Sequence, residues 1–355
     1  MPAASVDTFF ACSLMVLLVL SAMASTSKIL YPYINYASDK NVAEKYRQIS
    51  KYLLLNAGTP SNWGENNRTA LTTFGLAKVG SENPYDLDSD KVSRLSSESI
   101  YAISYAQVFS TLKMPDITSR IEIKPMFEVA IRLEATYEEA NRTVYQFAIS
   151  PEKHGSSLLA NLQCYVVAED FVGTTSIFFR GGKTYVNATL PNTIIGPALI
   201  IVFAKSAYDS RIVSFSSHAF AHNSRQPTPN RTFLKLSPLN HTLTATFIQP
   251  NVTLMKAYAF TFNYNSTLTQ VVADSYSAIF AIPHFADSSP TLIVATGTNS
   301  TTFFTEVAAY PQIPLQTGAN FENLETRTKV FAYTYSVTIE SAIYECTIWL
   351  GGPRD

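Results

Sequence analysis

The amino-acid sequence predicts a mainly β protein that begins with a transmembrane helix, a helical extension and a small mixed α region, followed by two β-sandwich-like domains. Only 15% of the residues are charged, while Tyr and Phe number 20 and 22, a composition that favours half-buried pleated surfaces. The N-terminus holds an uncharged apolar run. From about residue 119 the hydrophobic period changes from 3.6 to 2, which is typical of strands.

The predicted parts are residues 1–58 (transmembrane helix and amphipathic extension), 59–116 (small mixed region), 117–224 (first β-sandwich) and 225–355 (second β domain). A chain of 355 residues is expected to form several domains, each with its own core. A Pro-containing segment at 225–230 is the predicted linker between the two β domains.

The N-terminal run, residues 8–27, carries no charge, and as a helix it would span about 30 Å, the thickness of a bilayer's hydrocarbon core. Helical spacing continues in the extension at Val42, Tyr46, Ile49 and Leu53. Gly58 and Pro60 then end the helix. The alternative is a cleavable signal peptide with a small-x-small site at residues 22–24. Because no Lys or Arg precedes the run, the retained helix is the interpretation.

Eight Asn-x-Ser/Thr triplets predict where the bulk of the chain lies. The acceptor residues are Asn67, Asn141, Asn187, Asn230, Asn240, Asn251, Asn265 and Asn299. All of them follow the apolar run, which predicts a single-pass protein of the cell membrane with its C-terminal domains extracytoplasmic. The alternative is that a Ser/Thr-rich chain produces such triplets by accident.

The mixed region predicts one helix from about residue 100 to 114, capped by Ser97 or Ser99. Alternating runs then predict strands at 119–124, 127–135, 143–149, 162–168, 176–180, 183–190, 198–204 and 211–218, and in the second domain at 233–236, 243–247, 254–264, 271–282, 291–296, 302–308 and 329–350. Short strands at this spacing favour a sandwich.

Two resemblances extend this interpretation. The stretches 46–64, 74–77 and 90–95 resemble uncharacterised archaeal membrane-anchored surface proteins, and the layout is similar to type IV pilin-like proteins. Residues 1–7 lack the basic residue that pilin precursors usually carry before the apolar run. The stretches 164–168, 184–191 and 198–204 resemble immunoglobulin-like carboxypeptidase-regulatory or transthyretin-like sandwiches. The resemblance implies an immunoglobulin-like fold for residues 117–224.

Three motifs resemble functional sites, but each has a structural explanation. Gly182-Lys-Thr ends like a phosphate-binding loop, but residue 177 is Ile where the first glycine belongs, so a hairpin turn is predicted. Asp86, Asp88 and Asp90 have calcium-loop spacing without the glutamate at 97, which predicts an acidic turn with Asp90 as a helix cap. His218 and His222 would lie about 13 Å apart on a strand, too far for one metal ion.

Cys12 lies in the apolar run, and Cys164 and Cys346 each lie on the apolar side of an alternating segment. Two small buried hydrophobic residues are predicted there, with a disulfide between them as the alternative.

No catalytic motif is present, so the sequence predicts no enzyme, no cofactor and no metal. It predicts a membrane-anchored surface protein with a structural or interaction role. The alternatives are a pilin-like filament subunit and a glycan- or protein-binding adhesin module. The expected partners are membrane lipid at the N-terminal helix, further copies of the chain, or a cell-surface protein or glycan. A net charge of −1 gives no electrostatic case for nucleic acid.

Overall fold

The computed structural model describes residues 3–65, 70–114, 116–224, 226–286, 290–300, 302–321 and 329–352. The chain forms two compact units, residues 1–51 and 52–355. Three helices are present in the described part: Ala3–Leu55 (α1), Ser89–Ser93 (α2) and Tyr105–Leu112 (α3). All other regular structure described is β, which confirms the prediction of a mainly β protein with an N-terminal helix.

The first unit consists of helix α1 up to residue 51. In the described part of the chain, no helix combines the length and apolarity needed to cross a membrane, so the predicted single-pass membrane location is wrong. The physical reason is the composition of the run. Large apolar side chains are continuous only over residues 14–20, about 10 Å of helix, and small and hydroxyl residues follow.

The predicted helical extension is confirmed. Tyr46, Ile49 and Leu53 are buried and Val42 is half-buried, as their spacing on one face requires. The helix ends at Leu55, and Gly58, with a φ of 78°, donates its backbone N–H to the Asn56 side chain at 2.6 Å.

The second unit begins with a compact segment around Trp63, which is fully buried. The Trp63 indole donates to the Gly75 carbonyl at 3.0 Å and lies 5.8 Å from the Phe74 ring. Arg94 lies over the indole and donates to the Trp63 carbonyl. A Cβ at Gly75 would lie 2.2 Å from the Asn56 carbonyl oxygen, so only glycine allows this approach.

Helix α3 is shorter than predicted and starts later. Ser104 caps it, and its side chain and that of Gln107 exchange hydrogen bonds with each other's backbone N–H. This capping box replaces the predicted caps at Ser97 and Ser99, because it satisfies two free N–H groups at once. Val108 is the buried residue of the helix.

Twenty-one strands follow in chain order. They are Asp86–Leu87 (β1), Thr118–Pro125 (β2), Glu128–Glu138 (β3), Arg142–Lys153 (β4), Ser156–Ser157 (β5), Ala160–Ala168 (β6), Phe171–Arg180 (β7), Lys183–Pro191 (β8), Gly196–Ser206 (β9), Val213–His222 (β10), Leu234–Leu239 (β11), Thr242–Phe247 (β12), Val252–Phe260 (β13), Asn265–Thr267 (β14), Thr269–Ala273 (β15), Ser277–Ala281 (β16), Thr291–Asn299 (β17), Thr302–Tyr310 (β18), Leu315–Gly318 (β19), Lys329–Ile339 (β20) and Ala342–Gly352 (β21).

The largest sheet has the order β10-β9-β6-β7-β8-β4-β3, with β5 on the side of β4, and folds around one core. Phe147, Val166, Val186, Ile200 and Phe220 meet in that core from different strands. Strand β7 passes from β6 to β8, pairing with β6 through residues 171–173 and with β8 through residues 174–180. At this crossing a Cβ on Gly173 would lie 2.6 Å from the Val166 side chain and 2.7 Å from the Thr189 carbonyl oxygen.

Two four-stranded sheets, β11-β12-β16-β15 and β14-β13-β17-β18, share a second core. Leu236, Leu243 and Phe280 come from the first of these sheets, and Ile293 and Phe304 come from the second. The two sheets therefore form a sandwich.

A third apolar cluster joins these two bodies. The faces of β6 and β9 that point away from their own core contribute Tyr165, Ile201 and Phe203, and β13 and β17 contribute Phe260 and Val294. The Tyr165 and Phe260 rings lie 4.9 Å apart. Strand β9 is therefore buried on both faces, which explains why its sequence is a continuous apolar run.

A further sheet has the order β1-β20-β21-β2-β19. Strand β2 pairs with β21, with Ile123 opposite Cys346. A strand expected at the start of the first β domain thus lies beside strands from the C-terminal end of the chain.

Candidate functional site

A cleft of about 230 Å³ lies where the loop after α2, strand β10, strands β11 and β18 and residues 312–314 meet. Its walls are mainly apolar and include Phe215, Leu236 and Leu292. Arg231 and Glu98, both half-exposed, form an ion pair of 2.8 Å among the residues that line it. Arg231 has a φ of 69°, an uncommon backbone conformation for a residue other than glycine.

Glu306 on β18 forms the buried polar part of this cleft. Its carboxylate accepts hydrogen bonds from the backbone N–H groups of Phe233, at 2.9 Å, and Arg231. Asn230 donates to the Val307 carbonyl at 2.8 Å and accepts from the Val307 N–H at 2.9 Å. These bonds fasten residues 230–233 to β18. Burial raises the pKa of Glu306 above its ordinary value.

A second polar site surrounds Asp90 in helix α2. Its carboxylate accepts from the Asn240 backbone N–H at 2.8 Å and from the Tyr310 hydroxyl at 3.0 Å. Asp90 is buried, and that burial raises its pKa to about 6, against hydrogen bonds that lower it. Burial also raises the pKa of the Tyr310 hydroxyl, which therefore stays protonated and acts as the donor.

Two histidines lie beside this site. The His241 and His284 rings are 3.6 Å apart between centroids, and His241 meets the Tyr310 ring edge-on at 5.7 Å. The His241 Nδ1 atom is buried and has no hydrogen-bond partner among the described residues. Burial lowers the pKa of His241, and the neighbouring His284 acts in the same direction.

The acidic turn singled out in the sequence is where Asp90 lies, but its residues play different roles from those predicted. Asp86 belongs to strand β1. Asp88, not Asp90, caps α2, accepting from the N–H groups of Asp90 and Lys91 at 3.0 Å each. Asp90 instead faces Asn240 and Tyr310, residues far away in the sequence. No local pattern in the sequence indicated this contact.

The predicted hairpin at Gly181 and Gly182 is confirmed, since both have positive φ and Arg180 pairs with Lys183. His222 is buried on β10, where one ring nitrogen lies 2.9 Å from the Tyr145 hydroxyl and the other 3.0 Å from the Pro191 carbonyl. Within the described ranges, no group of three or more His, Cys, Asp or Glu side chains is placed to hold a metal ion.

Cys164 and Cys346 are free, buried thiols, as the preferred interpretation predicted. Cys164 lies in the core of the large sheet, and Cys346 is on β21. Burial raises the pKa of each thiol to about 12, so both are protonated and unreactive at neutral pH.

The acceptor asparagines fall into two groups, apart from Asn67, which lies outside the described residues. Four are exposed at turns or strand ends: Asn141, Asn240, Asn251 and Asn265. The side chains of the other three are hydrogen-bonded: Asn187 with Gln146, Asn230 with Val307, and Asn299 with Gln249.

No protein-family model and no curated protein matches the sequence. Among solved structures, a chimeric titin Z1Z2 functionalised with a KLER exogenous peptide from decorin is 11% identical and aligns over 54% of this chain and 96% of its own, with a TM-score of 0.16. The mouse nectin-like molecule 4 ectodomain (Ig1–Ig3) is 11% identical over 52% and 63%, with a TM-score of 0.16. An endo-fucoidan hydrolase of glycoside hydrolase family 107 is 9% identical over 53% and 38%, with a TM-score of 0.17. Scores this low carry no functional argument.

Proposed function

We propose that this protein is a non-catalytic structural subunit that self-associates through helix α1, in the manner of pilin-like subunits, and displays a body with an immunoglobulin-like sandwich. The observation that carries the proposal is the exposure of α1. Every side chain from residue 14 to residue 20 is large and apolar and is 53 to 70% exposed. Seven consecutive residues cover all sides of a helix, since each turn takes 3.6 residues.

A helix that is apolar on all sides requires an apolar environment. Residues 8–27 contain no charged residue that could pair with a charged partner surface. A second copy of α1 offers a matching uncharged apolar surface of the same length. Contiguous apolar surface of this kind marks sites of protein association.

The test is the oligomeric state of the full chain. We expect sedimentation velocity to show oligomers at micromolar concentration for the wild type and a shift toward monomer for Leu17→Lys. Val79→Lys is the matched control, because Val79 is 57% exposed, close to the 65% of Leu17, but lies outside α1. A monomeric wild type, or equal behaviour of the two variants, would exclude self-association through α1.

A binding module is a second candidate, and the cleft between Arg231 and Glu98 favours it. Apolar walls with a few polar groups are typical of ligand sites. The partners proposed for it are a cell-surface protein or glycan. Screening of the full chain on a glycan array, repeated with Glu98→Gln, tests this candidate. Glycan binding that the variant retains unchanged would place the ligand elsewhere.

A further inference from the structure

Two buried carboxylates hold the second unit together at points distant in the sequence. Asp90 joins helix α2 to Asn240, in the turn between β11 and β12, and to Tyr310 at the end of β18. Glu306 on β18 binds the backbone of residues 231 and 233. Both side chains are almost completely buried.

The basic side chains near Asp90 have other partners. Lys91 and Arg94 donate to backbone carbonyl oxygens, at 2.8 Å and 3.0 Å. Lys78 lies 3.7 Å from Glu340. Within the part of the chain that the structure describes, no salt bridge reaches the Asp90 carboxylate.

The remaining titratable groups around Asp90 do not compensate its charge either. They are Asp88 at the helix cap, His241 in the β11–β12 turn, His284 beside it, Tyr310 on β18 and Glu340 in the turn between β20 and β21. Asp88 and Glu340 are acidic and add repulsion. His241 is held in its neutral form by burial, which lowers its pKa.

Glu306 is in a similar position. The guanidinium of Arg231 pairs with Glu98 at 2.8 Å, while only the Arg231 backbone N–H reaches Glu306. Among the described residues no ion pair involves Glu306. Backbone N–H groups stabilise the carboxylate, but they do not replace the hydration lost on burial.

We propose that proton uptake by Asp90 in mild acid tightens the contact between helix α2 and the second sandwich, with Glu306 acting in the same direction, so that the second unit is more stable at pH 5 than at pH 7. Protonation removes a buried negative charge that no described cation balances. The protonated carboxyl group keeps an oxygen that accepts from Asn240 and Tyr310.

The sign follows from linkage. The pKa of Asp90 is about 6 in the folded state and 3.8 in the reference state, so the folded state binds the proton more tightly. The stabilisation is complete below pH 3.8 and is lost as the pH rises through 6. For this group alone, the unfolding equilibrium constant falls about 25-fold between pH 7.5 and pH 4.5. His241, with its lowered pKa, acts in the opposite direction as the pH falls below 6.5.

The experiment is urea denaturation of the full chain at pH 7.5, 6.5, 5.5 and 4.5, followed by Trp fluorescence, since the buried Trp63 lies beside Arg94. Asp90→Asn keeps the shape and an acceptor oxygen but removes the charge. We expect the ratio of the two unfolding constants, wild type over variant, to fall about 25-fold from pH 7.5 to pH 4.5.

Asp209→Asn is the control. Asp209 pairs with Arg211 at 2.8 Å on the surface and has a pKa of about 2, so its ratio to the wild type should stay constant over this range. Carbon-13 NMR titration of the aspartate carboxyl carbons in the wild type provides a second measurement that needs no variant. One aspartate should titrate near pH 6. Parallel pH profiles for wild type and Asp90→Asn, or no aspartate titrating above pH 5, would overturn the proposal.

Discussion

Replacing two neighbouring isoleucines of β9 tests whether the two β bodies pack face to face. Ile200 points into the core of the large sheet, and Ile201 points into the cluster shared with β13 and β17. Both are 0% exposed. In a sandwich with one face in water, a residue at position 201 would be exposed, and its truncation would change stability by only about 0.5 kcal/mol.

The packed arrangement predicts a different result. Ile→Ala at a fully buried position removes apolar area and leaves a cavity, at a cost of about 2–5 kcal/mol. We therefore expect Ile200→Ala and Ile201→Ala to lower the free energy of unfolding by similar amounts, about 3 kcal/mol each. Urea denaturation of the full chain measures both, with the tangential change in m-value checked to confirm a common unfolding transition.

A double-mutant cycle between Tyr165 and Phe260 checks the same surface from both sides. Their rings are 4.9 Å apart, and aromatic pairs contribute about 0.5–1.5 kcal/mol beyond their buried area. A loss below about 1 kcal/mol for Ile201→Ala, together with no coupling in the cycle, would refute face-to-face packing.

Two further predictions concern single side chains. Gly173→Ala should destabilise the fold by more than about 1 kcal/mol, because its Cβ would overlap Val166 and the backbone of β8; thermal unfolding of the full chain measures this, and an unchanged melting temperature would contradict it. Asn230→Ala should cost about 1–3 kcal/mol by breaking two hydrogen bonds to Val307, whereas Asn265→Ala should be neutral. For the same reason, glycopeptide mapping should find glycan on Asn265 and not on Asn230.

Local patterns in the sequence predicted much of the β structure. The alternation at 143–149 lies within β4, where Tyr145, Phe147 and Ile149 are buried and the residues between them are half-exposed. The turn at Gly181 and Gly182 was also predicted, because two adjacent glycines permit the positive φ values that the turn uses. Period and turn chemistry are local properties, so a single sequence is sufficient to identify them.

Predictions that depended on comparing local alternatives were less accurate. The cap of α3 was expected at Ser97 or Ser99, whereas Ser104 forms it together with Gln107. The N-terminal run was expected to cross a membrane, although its large apolar residues are continuous over only residues 14–20. In both cases a correct residue type was present, and its neighbours decided the outcome.

By itself, the sequence determined the class of the fold, the N-terminal helix, most strand positions and the burial of Cys164 and Cys346. Tertiary structure alone decided that Ile201 faces a second sandwich, that β2 pairs with β21, and that Asp90 lies against Tyr310. The physical reason is that side-chain period specifies which face of a strand is apolar but not which surface covers that face. The raised pKa of Asp90 follows from that covering, since its burial and its missing cation arise only when distant segments meet.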